Sequence, residues 1–234
     1  MKSKTLENIS FQIKKGENIA IVGENGAGKT TLIKLLCGLY TAGEGQILIN
    51  GENAADYKNE EYFDLFSPVF QDYSFLPLSI AQNVAAKTEY DKSRVAAALK
   101  DAGIYDKIQS FAHGMDTKLI KEVNRDAQDL SGGEKQKLLL AKAIYKNAPV
   151  VVLDEPTAAL DPVAENEVYQ RFNTFVKGKT AIYISHRLSS CVFCNRIAVF
   201  HDAQLVQTGT HKELLASGGK YAQLWHAQAE YYLN

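Results

Sequence analysis

The stretch Gly23–Thr31, GENGAGKTT, has the residue types and the spacing that hold a phosphate group. It fits the pattern G-x-x-x-x-G-K-[S/T] and lies between the apolar runs at 17–22 and 32–39, as a loop between a strand and a helix does. Its glycines let successive N–H groups point at one anion. Lys29 would then reach the β- and γ-phosphates of a nucleotide, and the Thr30 hydroxyl would bind Mg²⁺. A glycine-rich turn without a ligand is the alternative.

Two adjacent carboxylates end the apolar run VVVLDEP. The run predicts a buried strand, and it directs Asp154 to the edge of the sheet where ligands bind in open α/β folds. We expect Asp154 to hold Mg²⁺ and Glu155 to orient and deprotonate the attacking water. A glutamate of ordinary pKa, about 4.3, is ionised at neutral pH and accepts that proton. A helix N-cap or a solvated strand end is the alternative for either residue.

A second anion-binding helix start is predicted at LSGGEKQK, residues 130–137. Ser131, Gly132 and Gly133 would present a hydroxyl and free N–H groups. Because one γ-phosphate needs only one such cradle within a subunit, a second one so far along the chain makes sense if it covers the ATP of another copy. A serine N-cap followed by flexible glycines is the alternative.

The composition narrows the class of protein. The chain has 234 residues, a formal net charge of -1 and three cysteines. The balanced charge gives no support to a nucleic-acid partner, and so few cysteines form no disulfide framework. The first residues lack the apolar core of a signal peptide, and no apolar run approaches the roughly 20 residues of a membrane span. We therefore expect a soluble, cytoplasmic chain.

Strand and helix patterns alternate at both ends of the chain and predict a doubly wound α/β core. Strands are predicted at 8–13, 17–22, 45–51, 67–72, 149–154, 180–185 and 196–200. Helices are predicted after the glycine loop, at intervals from 79 to 146, and at 162–177. The resulting prediction is one domain over 1–234, with a core at 1–76 and 148–234 and a helical subdomain at 77–147.

In this order and spacing, the motifs resemble the nucleotide-binding (ATPase) domain of an ABC transporter over essentially the whole chain. GENGAGKTT resembles the Walker A loop of that family, VVVLDEP its Walker B strand and LSGGEKQK its signature motif. Gln71 resembles the Q-loop glutamine, AALD at 158–161 the D-loop, and His186 the switch histidine. The resemblance implies a P-loop NTPase (RecA-like) core with a mixed or parallel sheet, antiparallel β strands near the N-terminus and a helical insertion carrying the signature.

The resemblance also implies an ATPase that uses ATP and Mg²⁺. The implied catalytic residues are Lys29, Gln71, Glu155 and His186, and the implied Mg²⁺ contacts are Thr30, Gln71 and Asp154. The implied nucleotide-binding residues are Gly23, Glu24, Asn25, Gly26, Ala27, Gly28, Lys29, Thr30, Thr31, Ser131, Gly132, Gly133 and Asp161. Two such domains would close head to tail around two ATP molecules, and hydrolysis would drive the membrane domains between their states.

ISHRLS and the stretch 209–225 resemble the exporter branch, in which the domain follows six membrane helices of the same polypeptide at the cytoplasmic face of the membrane. The cargo would be a drug, lipid or peptide. In the family an aromatic residue that stacks on adenine precedes the segment matched by TLENISF. We therefore expect an excised domain whose adenine contact is missing or improvised. The loop at 117–129 is longer than usual and lacks the usual Gly-Glu pair, which leaves coupling and cargo open.

Three other functions are compatible with part of the sequence pattern. A soluble ABC ATPase acting on ribosomes or DNA is the runner-up, but such members usually carry two domains or a long coiled coil, and neither pattern is present. A small-molecule kinase would leave LSGG and His186 unexplained. A non-hydrolysing binding domain is disfavoured because Glu155, Gln71 and His186 are all present.

An apolar cluster after Gln71 and a pair of cysteines lead to two further predictions. Tyr73, Phe75 and Leu76 either pack inside or form a socket for a helix of the membrane domain, because exposed apolar loop clusters usually mark an interaction site. Cys191 and Cys194 are predicted to be buried small hydrophobes, because a zinc site would need two more ligands at suitable spacing.

Overall fold

The computed structural model describes residues 5–120, 123, 126–155, 162–185 and 187–233, without the side chains of 162–166 and 231–233. The chain divides into two compact units. The first is formed by 1–68, 149–155 and 178–234, and the second by 69–148 and 156–177. The sequence analysis placed the end of the first core segment at 76 rather than 68, and it assigned 156–177 to the core. As a domain assignment, that division stays a prediction.

The first unit is built on a six-stranded sheet in the order β4-β5-β6-β1-β7-β8. The strands are β1 (Asn18–Gly23), β2 (Leu48–Ile49), β3 (Glu52–Asn53), β4 (Phe66–Val69), β5 (Val150–Asp154), β6 (Thr180–Ile184), β7 (Arg196–His201) and β8 (Gln204–Gly209). The pairs β5–β6, β6–β1 and β1–β7 are parallel, whereas β8 runs antiparallel to β7. A separate antiparallel ribbon joins β2 to β3. The predicted α/β class, with mostly parallel strands and some antiparallel ones, is confirmed.

Continuous apolar runs form the central strands because both faces of a parallel sheet are covered. In β1, Ile19, Ala20 and Val22 have no exposed surface, and Val151 and Leu153 of β5 are equally buried. Burial of this extent removes each side chain from water and contributes about 1.5–3 kcal/mol for a large aliphatic residue. The two strands that lead to the predicted phosphate loop and to the carboxylate pair are therefore rigid supports.

The helices flank the sheet or form the second unit. They are α1 (Lys29–Leu36), α2 (Asn59–Asp64), α3 (Ile80–Ala85), α4 (Lys92–Asp101), α5 (Tyr105–Gln109), α6 (Gly132–Lys146), α7 (Pro162–Phe175), α8 (His211–Ala216) and α9 (Lys220–Leu233). The second unit contains α3 to α7. Helices α3 to α6 lie within the helical insertion predicted from the sequence, whereas α7 lies outside it. Among the described helices, none has the length and apolar character needed to cross a membrane.

One predicted strand is wrong, and two of the described strands, β3 and β8, were missed. Residues 8–13 alternate between half-buried and exposed side chains as predicted, but none of the described residues pairs with them in a β ladder. Instead, Phe11 packs edge-on against Phe200, and the Arg196 guanidinium donates to the Gln12 carbonyl. Strand β8 was missed because its alternation is not one of apolar and polar residues: Val206 is on the exposed side and Gln207 on the half-buried side of this edge strand.

Candidate functional site

The loop between β1 and α1 has a backbone that only glycine fits at its last position. Gly28 is the N-cap of α1 and has a left-handed conformation, with a φ of 94°. A Cβ atom at this position would lie 2.5 Å from Cδ2 of Leu6 and 2.6 Å from the Thr5 carbonyl oxygen. The sequence therefore needs glycine here both for the backbone angle and for the close approach of the N-terminal segment. The N–H groups of the first turn of α1 follow directly, as an anion site requires.

Lys29 is held inside this loop. Its side chain is 5% exposed, and Nζ donates hydrogen bonds of 2.9 Å to the carbonyl oxygens of Gly23 and Glu24. Burial lowers the pKa of Lys29, whereas the nearby carboxylates of Glu155 and Asp154 raise it. The ammonium group is thus desolvated and fixed by main-chain oxygens, which suits the binding of phosphate oxygens at this loop.

Thr30 and Asp154 bring the first turn of α1 and the end of β5 together. The Thr30 hydroxyl donates to Oδ1 of Asp154 at 3.5 Å, and Asp154 is 1% exposed. Burial raises the pKa of Asp154, while the hydrogen bond from Thr30 and the charge of Lys29 lower it. A buried carboxylate beside a hydroxyl supplies the hard oxygen ligands that Mg²⁺ prefers. These residues fit the cation that the sequence analysis implied.

Glu155 has a strained main-chain conformation. Its φ is 50°, in the left-handed region that a residue with a Cβ rarely adopts, and its N–H donates to the Ile184 carbonyl at 3.0 Å. Such conformations cost about 1–3 kcal/mol and cluster at functional sites. The hydrogen bond to β6 therefore fixes the main chain of Glu155, and with it the direction of the Cα–Cβ bond at the end of β5.

The other predicted site residues belong to the second unit or lie outside the described residues. Gln71 is exposed and follows β4. Ser131 is the N-cap of α6 and forms a capping box with Glu134: the Ser131 hydroxyl accepts from the Glu134 N–H at 3.3 Å, and the Ser131 N–H donates to the Glu134 carboxylate at 2.8 Å. The N-cap interpretation of Ser131 is thus correct, and its role toward a partner's nucleotide stays a prediction. Asp161 and His186 lie outside the described residues.

Sequence reasoning missed two basic side chains that surround the loop residue Glu24. Lys220 and His201 contact its carboxylate, although Lys220 is 196 residues away in the chain. No local pattern marks either residue, because the contact exists only once α9 packs beside the loop. The described residues contain no group of three or more His, Cys, Asp or Glu side chains that could by itself hold a metal ion.

Comparisons with known proteins identify the family to which this fold belongs. A family model described as "ABC transporter" matches residues 6–158. The ATP-dependent lipid A-core flippase of Paraburkholderia xenovorans (strain LB400) is 39% identical over 224 residues, which cover 96% of this chain and 37% of that protein. The flippase of the same name from Haemophilus ducreyi (strain 35000HP / ATCC 700724) is 37% identical over 227 residues, covering 96% of this chain and 38% of that protein.

A solved structure has the same fold. It is described as a bacterial Atm1-family ABC exporter with ATP bound, and it superposes with a TM-score of 0.87 at 34% sequence identity. The match covers 96% of this chain and 39% of that one. The chain therefore spans less than two fifths of the length of these relatives.

Proposed function

This chain belongs to the ABC transporter family, and on that premise we propose that it is the ATP-hydrolysing domain of an exporter-type transporter. The observation that carries the proposal is the contact of Thr30 with Asp154, 3.5 Å long, at the start of the helix that also carries Lys29. A phosphate loop, a buried lysine and a metal-binding carboxylate at one edge of a parallel sheet form the constellation that nucleotide hydrolysis needs.

The residues divide the chemistry among them. The N–H groups of Gly26 to Thr31 cradle the β- and γ-phosphates, and Lys29 donates to the phosphate oxygens. Thr30 and Asp154 would hold Mg²⁺, which would neutralise the charge that develops on the phosphates. Glu155 accepts a proton from the attacking water, and His186 contacts the γ-phosphate. Most of the rate enhancement then comes from positioning and electrostatics.

In this proposal, a second copy of the domain completes the ATP site. Ser131, Gly132 and Gly133 at the start of α6, together with Asp161, would cover the ATP held by the partner's phosphate loop. Support comes from the position of Ser131: it is exposed and is the N-cap of a 15-residue helix. A helix N-terminus favours negative charge. Two ATP molecules would be held between two head-to-tail domains, and hydrolysis would open them.

The partner in the membrane would be a transmembrane domain. The relatives are long enough to contain one, because this chain covers only 37% of the flippase and 39% of the exporter. In the second unit, a cavity of about 260 Å³ has a mixed lining: apolar side chains of Tyr73, Phe75, Leu119, Ile120 and Leu130, and polar ones of Ser74, Gln128, Asp129 and Lys135. Leu76, which follows Phe75 in the chain, is 57% exposed. We assign this cavity to a helix of the transmembrane domain, with the chain at the cytoplasmic face of the membrane. The cargo would be a drug, lipid or peptide, and the flippase relatives favour a lipid.

The test compares the wild-type chain with Glu155→Gln. The variant should bind ATP with wild-type affinity but hydrolyse it at least about 100-fold more slowly, because only the proton acceptor is lost. It should also form dimers in ATP that sediment at twice the monomer mass. Glu60→Gln, a change of an exposed glutamate in α2, is the matched control and should hydrolyse ATP normally. Wild-type turnover in Glu155→Gln would contradict the proposed role of Glu155, and absence of ATP binding to the wild-type chain would contradict the function.

A further inference from the structure

Glu24, the second residue of the phosphate loop, contacts two basic groups that the proposed mechanism does not use. Its Oε1 accepts a 2.7 Å hydrogen bond from Nζ of Lys220 in the first turn of α9. Its Oε2 lies 3.4 Å from Nδ1 of His201 at the end of β7. The Lys220 side chain is 21% exposed, so much of its length is packed against the protein. The carboxylate is thus held by the last helix of the chain and lies beside His201 of the sheet.

The start of α9 is itself fixed, which makes Lys220 a firm anchor. The N–H of the next residue, Tyr221, donates to Oε1 of Gln207 on β8 at 3.0 Å. Tyr221 has no exposed surface, and its hydroxyl lies 2.8 Å from Nδ1 of His211. A lysine on such an element loses less conformational freedom on pairing than one on a mobile surface loop.

The main chain of Glu24 takes part in the phosphate site directly. Its carbonyl oxygen accepts a 2.9 Å hydrogen bond from Nζ of Lys29. The Cα atoms of Glu24 and Gly26 are less than about 8 Å apart, because consecutive Cα atoms are separated by about 3.8 Å. A bare carboxylate on the same short loop would repel the phosphates of a nucleotide, because charges closer than the Debye length, about 8 Å at physiological ionic strength, are only partly screened. The hydrogen bond from Lys220 also lowers the pKa of Glu24, so the carboxylate is charged at neutral pH.

We propose that Lys220 is a positioning residue of the nucleotide site: by pairing with Glu24 it neutralises this carboxylate and anchors the loop in the form that accepts the phosphates. The inference rests on the proposed function only in taking ATP as the ligand. Lys220 acts through Glu24, and His201 lies beside the same carboxylate. The C-terminal helix α9 thereby becomes part of the support for nucleotide binding.

ATP affinity, measured by isothermal titration calorimetry, tests the proposal. Lys220→Ala should raise the Kd for ATP about two- to fivefold, the range of a partly exposed ion pair, with a smaller effect on the turnover at saturating ATP. Lys220→Arg should restore wild-type affinity because it keeps the charge. Lys212→Ala removes an exposed lysine from the neighbouring helix α8 and is the matched control for net charge.

A double-mutant cycle separates the charge effect from a loss of structure. In the Glu24→Gln background, Lys220→Ala should not raise the Kd further, because no carboxylate remains to be neutralised. If Lys220→Ala instead disturbed the structure of α9, the Kd for ATP would rise in the Glu24→Gln background as well. Raising the KCl concentration tenfold should also shrink the Lys220→Ala effect through screening. An unchanged Kd in Lys220→Ala, or an equal loss in both backgrounds, would overturn the proposal while leaving the proposed function intact. Failure of the wild-type chain to bind ATP would instead overturn the proposed function itself.

Discussion

The Thr30 hydroxyl donates a hydrogen bond of 3.5 Å to the Asp154 carboxylate, and this contact joins the first turn of α1 to the end of β5. The two residues are 124 positions apart: Thr30 follows β1, and Asp154 is the last residue of β5. The parallel arrangement of β1, β6 and β5 brings the carboxyl ends of these strands to one edge. The pair is therefore positioned by the sheet rather than by the local sequence.

Thr30→Ala tests whether this pair binds Mg²⁺. Loss of the hydroxyl should raise the Mg²⁺ concentration needed for half-maximal ATP hydrolysis about tenfold, because one oxygen ligand is removed. ATP binding in EDTA should change much less, and Thr30→Ser should behave as the wild type because it keeps the hydroxyl. The measurement is a Mg²⁺ titration of the steady-state ATPase rate. An unaltered titration in Thr30→Ala would remove Thr30 from the metal site.

The buried Asp154 should lower the stability of the domain when no ligand is present. Burial raises the pKa of Asp154 above the unfolded value of about 3.9, so its cost is fully present above the folded pKa and is lost as the pH falls below about 3.9. Asp154→Asn should therefore raise the free energy of unfolding at pH 7 by about 1 kcal/mol, or the Tm by about 2–4 °C.

Thermal denaturation at pH 7 and at pH 4 measures this effect, and the gain should shrink at the lower pH. Asp72→Asn, at an exposed aspartate, is the control and should leave the Tm nearly unchanged. If Asp154→Asn were less stable than the wild type at pH 7, the contacts with Thr30 and Lys29 would outweigh the desolvation of the carboxylate.

The three cysteines should be unreactive in the folded protein. The thiols of Cys37, Cys191 and Cys194 are buried, and burial raises the pKa of Cys191 to about 12 and that of Cys194 further. At pH 8 a thiol with this pKa is ionised in about one molecule in ten thousand, and only the thiolate reacts. Ellman's reagent should detect almost no thiol until guanidinium is added, and then three. Thr41→Cys, at an exposed position, should add one fast-reacting thiol and so verify the assay. Rapid reaction of the native wild type would contradict the burial.

Much of the fold could be predicted from the sequence because its signals are local. Strands β1, β5, β6 and β7 are continuous apolar runs, and such runs indicate burial on both faces whatever their neighbours are. The glycine loop and the carboxylate pair were recognisable for the same reason, since each motif lies within a few residues of the strand that supports it.

The failures have a common physical cause. The alternation at 8–13 correctly indicated one half-buried side, yet a β ladder also needs a hydrogen-bonding neighbour, and alternation contains no information about one. The contact between Glu24 and Lys220 is similar, because it depends on how α9 packs beside the loop. Side-chain periodicity predicts which face is buried, whereas the partner on that face is decided by the tertiary structure.

The proposed role of Ser131 toward a second copy can be separated from its role as an N-cap. Aspartate is as good an N-cap as serine, so Ser131→Asp should keep α6 intact while placing bulk and negative charge where the partner's phosphates would bind. Monomeric ATP binding should be unchanged, and ATP-dependent dimers of the Glu155→Gln background should be lost. Sedimentation in the presence of ATP measures the monomer and the dimer, and calorimetry measures ATP binding to the monomer.

Thr210→Asp is the matched control for this change. Thr210 is the exposed N-cap of α8 and forms the same capping box with Glu213, so the same charge is added to an equivalent helix start in the other unit. Its dimers should form normally, because α8 has no role toward the partner in the proposed arrangement. Normal dimerisation of Ser131→Asp would contradict the contact in trans, whereas loss of dimers in both variants would point to a general effect of added negative charge on association.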